Sequence, residues 1–137
     1  MRIVLDTNVL VSALLKQNSK PSRILEMALR GDVTILLDER ILAEYYGVLS
    51  RPKFDIPLSK TIEVLGSIGE DGERILAFPL EAKLPDIDDL LFLEVAVTGG
   101  ADALVTGNKK DFPPDRRHGV KVLTPAEFLD WMDTPRR

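Results

Sequence analysis

An α/β fold on a parallel sheet is what this sequence predicts, and two features predict it. Short apolar, β-branched runs alternate with longer helix-period segments from end to end. The runs are continuous and not polar–apolar alternations, as in strands buried on both faces, so helices should cover the sheet on either side in three layers. The 137 residues have one composition throughout, with no repeat, low-complexity tract or linker. Against a usual ~100–200 residues per domain, residues 1–137 read as a single unit.

The elements follow in order. Arg2–Leu5 is a β-branched run that ends at Asp6, and a helix is expected from about Val9 to Lys16. Pro21-Ser22 opens a second helix, which reaches Arg30 and stops at Gly31. Val33–Leu37 reads as a buried strand, and Asp38 is placed to N-cap a helix over Glu39–Ser50 that Pro52 ends. A further helix runs from about Leu58 to Ile68, closed by Gly69 and Gly72, and Arg74–Phe78 is the third strand, cut short by Pro79. Pro85-Asp86 opens a long apolar helix to about Thr98, stopped by Gly99-Gly100. Ala103–Thr106 and Val120–Leu123 are the last two strands, and Thr124-Pro125-Ala126-Glu127 is a capping box with Pro at the first helical position. In a parallel sheet of this kind ligands bind beyond the carboxyl ends of the strands.

Composition narrows the chemistry. Hydrophobic residues make up 45% and charged residues 29%, which gives a core and argues against disorder. Lys+Arg 18 against Asp+Glu 22 leaves a net charge of -4, so nucleic acid cannot be held by bulk positive charge. With no Cys, thiolate zinc sites, iron–sulfur clusters, disulfides and cysteine nucleophiles are excluded, and the single His118 removes His-rich metal sites. No apolar run approaches the ~18 residues of a membrane span, and the start is not a signal peptide. The expectation is a soluble, cytoplasmic domain without membrane contact, whose chemistry comes from carboxylates.

Four carboxylates stand where an α/β fold would place a site. Asp6 follows the first strand in Leu5-Asp6-Thr7-Asn8, a turn where Asp also serves as a cap, so both roles are open. Glu44 lies on the edge of the stripe Ile41, Leu42, Tyr45, Val48 and Leu49, which points it toward the sheet unless it snorkels to solvent. Asp89 falls among Leu90, Phe92, Leu93, Ala96 and Val97 on the helix wheel, near the middle of the apolar stripe, with Asp88 at its margin. A first-turn preference explains Asp86 well and Asp89 poorly. Asp111 comes five residues after the fourth strand, in Gly107-Asn108-Lys109-Lys110-Asp111, where a solvated loop residue is the plain alternative. Like charges gathered on one sheet edge repel unless neutralised. The natural neutraliser is a hard divalent cation with oxygen ligands, Mg²⁺ or Mn²⁺, which could clamp a phosphate and activate water.

These segments resemble the PIN-domain family, close to the group of toxin components of toxin–antitoxin pairs. The resembling residues are Ile3–Ser12, Glu44, Asp86–Glu94 and Gly100–Phe112, in order over nearly the whole chain. The resemblance implies a five-stranded parallel sheet in the order 3-2-1-4-5 with a metal-dependent ribonuclease site at its carboxyl edge. It implies Asp6, Glu44, Asp89 and Asp111 as catalytic metal ligands, Asp88 as an auxiliary or substitute, and Thr7, Asn8, Thr106 and Asn108 as groups that orient them. The implied reaction is hydrolysis of RNA by a metal-activated water, leaving a 5′-phosphate and a 3′-hydroxyl, without a covalent intermediate. The implied partners are an RNA substrate, a small protein antitoxin that blocks the acidic cleft, and a second copy in a homodimer. One departure is Asn108, where many relatives carry Asp; whether Asn108 or Asp111 fills the fourth ligand position stays open at this point.

RNA approaching an acidic mouth needs flanking positive charge. Lys109, Lys110, Arg116 and Arg117 could line its path, with Arg51, Lys53 and His118 as further candidates, Arg136 and Arg137 as a tail, or all of them as solvated surface. Phe128, Trp131 and Met132 read as core or interface. Two other readings compete: a catalytically weak or inactive binding module for RNA or protein, favoured by Asn108, and a phosphatase or receiver domain using Asp6. The latter lacks its second acid, since Asn8 stands two residues on and no acidic pair follows Leu5.

Overall fold

The computed structural model describes residues 1–134; Arg136 and Arg137 lie outside the described residues. The chain runs β1 (Arg2–Leu5), α1 (Thr7–Leu15), α2 (Lys20–Leu29), β2 (Thr34–Leu37), α3 (Glu39–Leu49), α4 (Leu58–Asp71), β3 (Glu73–Arg74), α5 (Leu90–Gly99), β4 (Ala103–Val105), β5 (Val122–Leu123) and α6 (Pro125–Asp133). All neighbouring strands pair in parallel, in the order β3-β2-β1-β4-β5, as the resemblance implies. The register sets Ile3 beside Ile35 and Ala103, and Leu5 beside Val105. Successive strand residues face opposite sides, and Ile3, Val4 and Leu5 are each at most 1% exposed, so both faces of the sheet are covered. Helix α5 packs on β1, β2 and β4, α3 and α4 on β2, and α6 on β4 and β5. Among the described residues no helix is long and apolar enough to cross a membrane.

The helix starts were largely written in caps. Asp38 accepts from the Ile41 amide at 3.0 Å, and Thr124 and Glu127 close the capping box at 3.2 and 2.9 Å. Helix α4 runs past Gly69 and ends at Gly72, where a Cβ would lie 2.6 Å from the Ile68 carbonyl oxygen and from Leu37. Gly100 closes α5 at φ +63°, a left-handed conformation that costs glycine little.

Two elements depart from the sequence reading. The third strand is Glu73–Arg74, not Arg74–Phe78. Its apolar continuation has no ladder to join, because β2 ends at Leu37 and Asp38 already turns into α3. The Ile75 amide takes the last carbonyl, that of Leu37, and the chain then leaves the sheet with Leu76 and Phe78 exposed. The long helix expected from Pro85 begins instead as a 3-10 turn over Ile87–Asp89, capped by Asp86, whose carboxylate accepts from the Asp88 amide at 2.9 Å. The α-helix proper starts at Leu90.

Candidate functional site

Asp6 sits at the carboxyl end of the central strand, its backbone amide held by the Val105 carbonyl at 2.9 Å. It stands at the N-cap position of α1 but makes no side-chain cap. Its carboxylate accepts instead from the Thr106 hydroxyl at 2.8 Å and from the Asn8 side-chain amide at 3.3 Å. Only 4% exposed, the carboxyl is pushed up by burial from its ordinary 3.8 to about 6. The Thr106 hydroxyl and the nearby amides of Thr7 and Asn8 favour its charged form, while the charge of Asp111 opposes it.

Asp89 ends the 3-10 turn ahead of α5 and is half-buried, not set in the middle of the buried stripe. The stripe belongs to Phe92, Leu93, Val95 and Ala96, and beginning the α-helix at Leu90 keeps Asp89 out of it. Partial burial, followed by the charges of Asp6, Asp111, Asp86 and Glu44, raises Asp89 from 3.8 to about 7. Carboxylates after β1, on α3 and in the loop after β4 thus all act on Asp89 in the turn before α5. Glu44 is half-buried beside the fully buried Tyr45. Asp111 is half-buried and its carboxylate accepts from the Asn108 side-chain amide at 3.1 Å. Asp88 is exposed, and its backbone amide is spent on Asp86.

Among the described residues none of Asp6, Glu44, Asp89 and Asp111 forms an ion pair with Lys, Arg or His. Their neutral partners form a chain: Asn8 donates to Asp6 and accepts the Gly107 amide at 3.0 Å, Thr106 donates to Asp6 and accepts the Asn108 amide at 3.1 Å, and Asn108 donates to Asp111. These groups fix carboxylates without cancelling their charge. Thr7 lies outside the chain: its hydroxyl is buried with no hydrogen-bond partner among the described residues. The donor set is all oxygen, which suits Mg²⁺ or Mn²⁺. Among the described residues, however, no group of three or more His, Asp or Glu side chains stands close enough, as placed, to grip a metal ion. The carboxylates fit such an ion by charge and chemistry, and would have to draw closer to bind it.

The basic residues are less available than their sequence suggests. Lys109 is tied to Glu127 of α6 at 3.0 Å, Arg117 donates to the Phe112 carbonyl at 2.7 Å, and Arg116 pairs with its neighbour Asp115 at 3.4 Å. Lys53 sits over the Phe54 ring, and Arg51 and His118 are exposed. Lys110 is exposed and free of any ion pair among the described residues.

Two further connections were not foreseen. The Tyr45 hydroxyl donates at 2.6 Å to the carbonyl of Leu5, directly before Asp6, while its ring stacks on Phe92 of α5. Tyr45 thus joins the elements that carry Asp6, Glu44 and Asp89; it reads as core in sequence, and nothing local marks the distant carbonyl. Arg40 links Asp38 to the buried Glu94 at 2.8 Å each, and Glu94 also accepts the Leu80 amide at 2.9 Å. This pair locks α3 to α5.

No curated protein matches the chain. Several solved structures are similar in fold, two of them toxin–antitoxin complexes by name. One, VapBC2 from Rickettsia felis bound to a DNA fragment from its promoter, is 22% identical, with 90% of this chain and 98% of that chain covered and a TM-score of 0.60. The other, FitAcB from Neisseria gonorrhoeae, is 19% identical, with the same coverage of 90% and 98% and a TM-score of 0.58. The sequence profile of the PIN domain matches residues 2–110, the stretch from β1 to the loop before Asp111. The strand order, the carboxylates at one sheet edge and this match together place the chain in the PIN-domain family.

Proposed function

We propose that this chain is a divalent-metal-dependent endoribonuclease, the toxin half of a toxin–antitoxin pair. The observation that carries the reading is Asp6: a buried carboxylate, raised toward neutrality, with no ion-pair partner among the described residues, repelled by Asp111 and itself acting on Asp89. A fold gains nothing from such an arrangement, since an uncompensated buried charge costs stability. Asp6, Glu44, Asp89 and Asp111 would hold Mg²⁺ or Mn²⁺, with Asp88 in reserve. Bound there, the ion would supply Lewis acidity to the scissile phosphate and lower the pKa of water beside it.

The chain's own residues do the rest. Thr106 and Asn8 aim the Asp6 carboxylate, and Asn108 aims that of Asp111. We read Asn108 as the support and Asp111 as the ligand. Lys110 is the basic side chain best free to meet an RNA backbone, whereas Lys109, Arg116 and Arg117 serve local structure first. An acidic mouth of this kind invites a basic protein segment as inhibitor; a homodimer is proposed alongside, from the family resemblance.

Cleavage of single-stranded RNA with Mn²⁺, comparing the wild type with Asp6→Asn, tests the reading. Activity that is metal-dependent in the wild type and lost in the variant supports it; equal rates in both discard it. The spread carboxylates favour one other reading, a PIN-fold module that binds RNA or protein without cutting. RNA binding unaffected by Mn²⁺, with no cleavage, would select that one.

A further inference from the structure

Beside the carboxylates lies a small cavity of about 220 Å³, bounded by Asn8 and Ser12 of α1, Pro21 near the start of α2, Gly107 and Asn108 after β4, and Pro125 at the start of α6. It is smaller than the ~300–1,000 Å³ pockets that enclose a whole drug-sized ligand, and suits one ring system. No charged residue lines it, next to an edge carrying four carboxylates. Its two asparagines each face both ways: Asn8 holds Asp6 and the Gly107 amide, Asn108 holds Asp111, and both border the cavity.

We infer that this cavity receives a nucleobase of the RNA strand, next to the phosphate presented to the carboxylates. The inference rests on the nuclease reading and adds a base-binding position to it. A phosphate finds no cation there, and the amides of Gly107 and Asn108 are already taken by Asn8 and Thr106. A metal ion finds no carboxylate in the lining. An aliphatic side chain would strand the Ser12 hydroxyl and the Asn108 side-chain carbonyl, which have no hydrogen-bond partner among the described residues. A base is neutral and flat, with polar edges for those two groups and faces for the rings of Pro21 and Pro125. Single-stranded RNA is recognised in this manner, by splayed bases read on their edges.

The test uses the four neutral ribonucleosides as probes, followed by amide NMR of the full chain. The expected result is a set of shifts at the Gly107 amide and the Asn8 and Asn108 side-chain amides, larger for one nucleoside than for the others. These shifts should vanish in Ser12→Phe, which fills the cavity from an exposed position on α1; the dispersion of its spectrum reports that it folds. No shift at these groups in the wild type, or equal shifts in Ser12→Phe, overturns the proposal whether or not RNA is cut. In a parallel assay, single-stranded RNA carries an abasic nucleotide at each position around the cut in turn. One position should lower kcat/KM about tenfold, the scale of a single base contact, and Ser12→Phe should erase that difference. Equal rates at every abasic position, with RNA still cleaved, also overturn it. If no RNA is cleaved at all, the nuclease reading falls, and the nucleoside shifts still decide the pocket.

Discussion

The two edges of the sheet treat charge in opposite ways. At the amino edge, Arg2 of β1 makes two bonds to Glu73 of β3, at 2.6 and 3.0 Å, and its backbone amide donates to Asp102 at 2.7 Å, just before β4. Across the same strands, about 10–15 Å away at ~3.3 Å per residue, the carboxyl edge carries Asp6, Asp89, Asp111 and Glu44, none of them in an ion pair among the described residues. Both edges are acidic, and only one is balanced. Glu73 is held below its ordinary 4.5 by Arg2, whereas burial and neighbouring charge hold Asp6 and Asp89 above theirs. Paired charge serves the fold; on the proposed reading, charge left unpaired on a buried strand end is a place kept for a metal ion.

The largest effect should come from abolishing the imbalance at its centre. Asp6→Asn is expected to reduce Mn²⁺-dependent RNA cleavage by more than the ~10–100-fold that follows loss of a group merely supporting a metal ligand. Initial rates on a labelled single-stranded RNA measure this, and a loss smaller than tenfold would detach Asp6 from the chemistry.

The same substitution separates the edges by pH. A carboxyl whose folded value is raised binds its proton more tightly in the native state, so the metal-free protein should lose stability as pH climbs from about 4 through 6 and 7. For Asp6 the rise from 3.8 to about 6 corresponds to roughly 3 kcal/mol at most. Asp6→Asn should remove that share and be the more stable protein at pH 8, by denaturant unfolding without metal. Glu73 acts in the reverse sense: its contribution is present above 4.5 and disappears as pH falls through its lowered folded value. Mg²⁺ should raise the melting temperature of the wild type at pH 8 far more than at pH 5, where protons compete for the same oxygens. At about a hundred times its Kd an ion adds about 2.7 kcal/mol. A stabilisation by Mg²⁺ that ignores pH would mean that it binds elsewhere.

Tyr45→Phe comes next. It removes one hydroxyl, leaving the Leu5 carbonyl buried without its 2.6 Å donor, which should cost about 1–3 kcal/mol of stability. If Tyr45 also spaces the elements carrying Asp6 and Glu44, Mn²⁺ binding followed by calorimetry should weaken in the variant at a temperature where it is fully folded. Unchanged Mn²⁺ affinity would confine Tyr45 to the core.

How much of this was legible depended on whether the cause was local. β1 has its expected bounds because a β-branched run meets Asp6, and α6 starts where Thr124 and Glu127 say it must. Asp6 and Asp111 could be placed at strand ends because such loops are visible in sequence. Asp89 was read into the middle of the buried stripe and lies outside it, since a helix wheel assumes α geometry and the chain makes a 3-10 turn there. The bond between Asn108 and Asp111 was hidden by the same kind of turn: the residues Lys109–Asp111 curl back, so that the Asn108 side-chain amide donates to the Asp111 carboxylate. Tyr45 to Leu5, Arg40 to Glu94 and Lys109 to Glu127 span 40, 54 and 18 residues, and no local pattern announces them. The third strand was overread for a related reason, as Ile75–Phe78 has a strand's composition and no neighbour to pair with.

The smallest effect belongs to the balanced edge, and its smallness is what the comparison requires. Arg2 and Glu73 are both partly exposed, at 37% and 44%, where water and salt screen the pair. Glu73→Gln should therefore lower the melting temperature less than Tyr45→Phe does, by an amount that fades as pH falls below 4.5 and through the lowered value of the wild-type carboxyl. Cleavage and the Mg²⁺ response should be those of the wild type, because the sheet separates this pair from Asp6. Should Glu73→Gln instead alter the Mg²⁺ response, the two edges would be coupled through β1, and the division between charges that hold the fold and charges kept for chemistry would not stand.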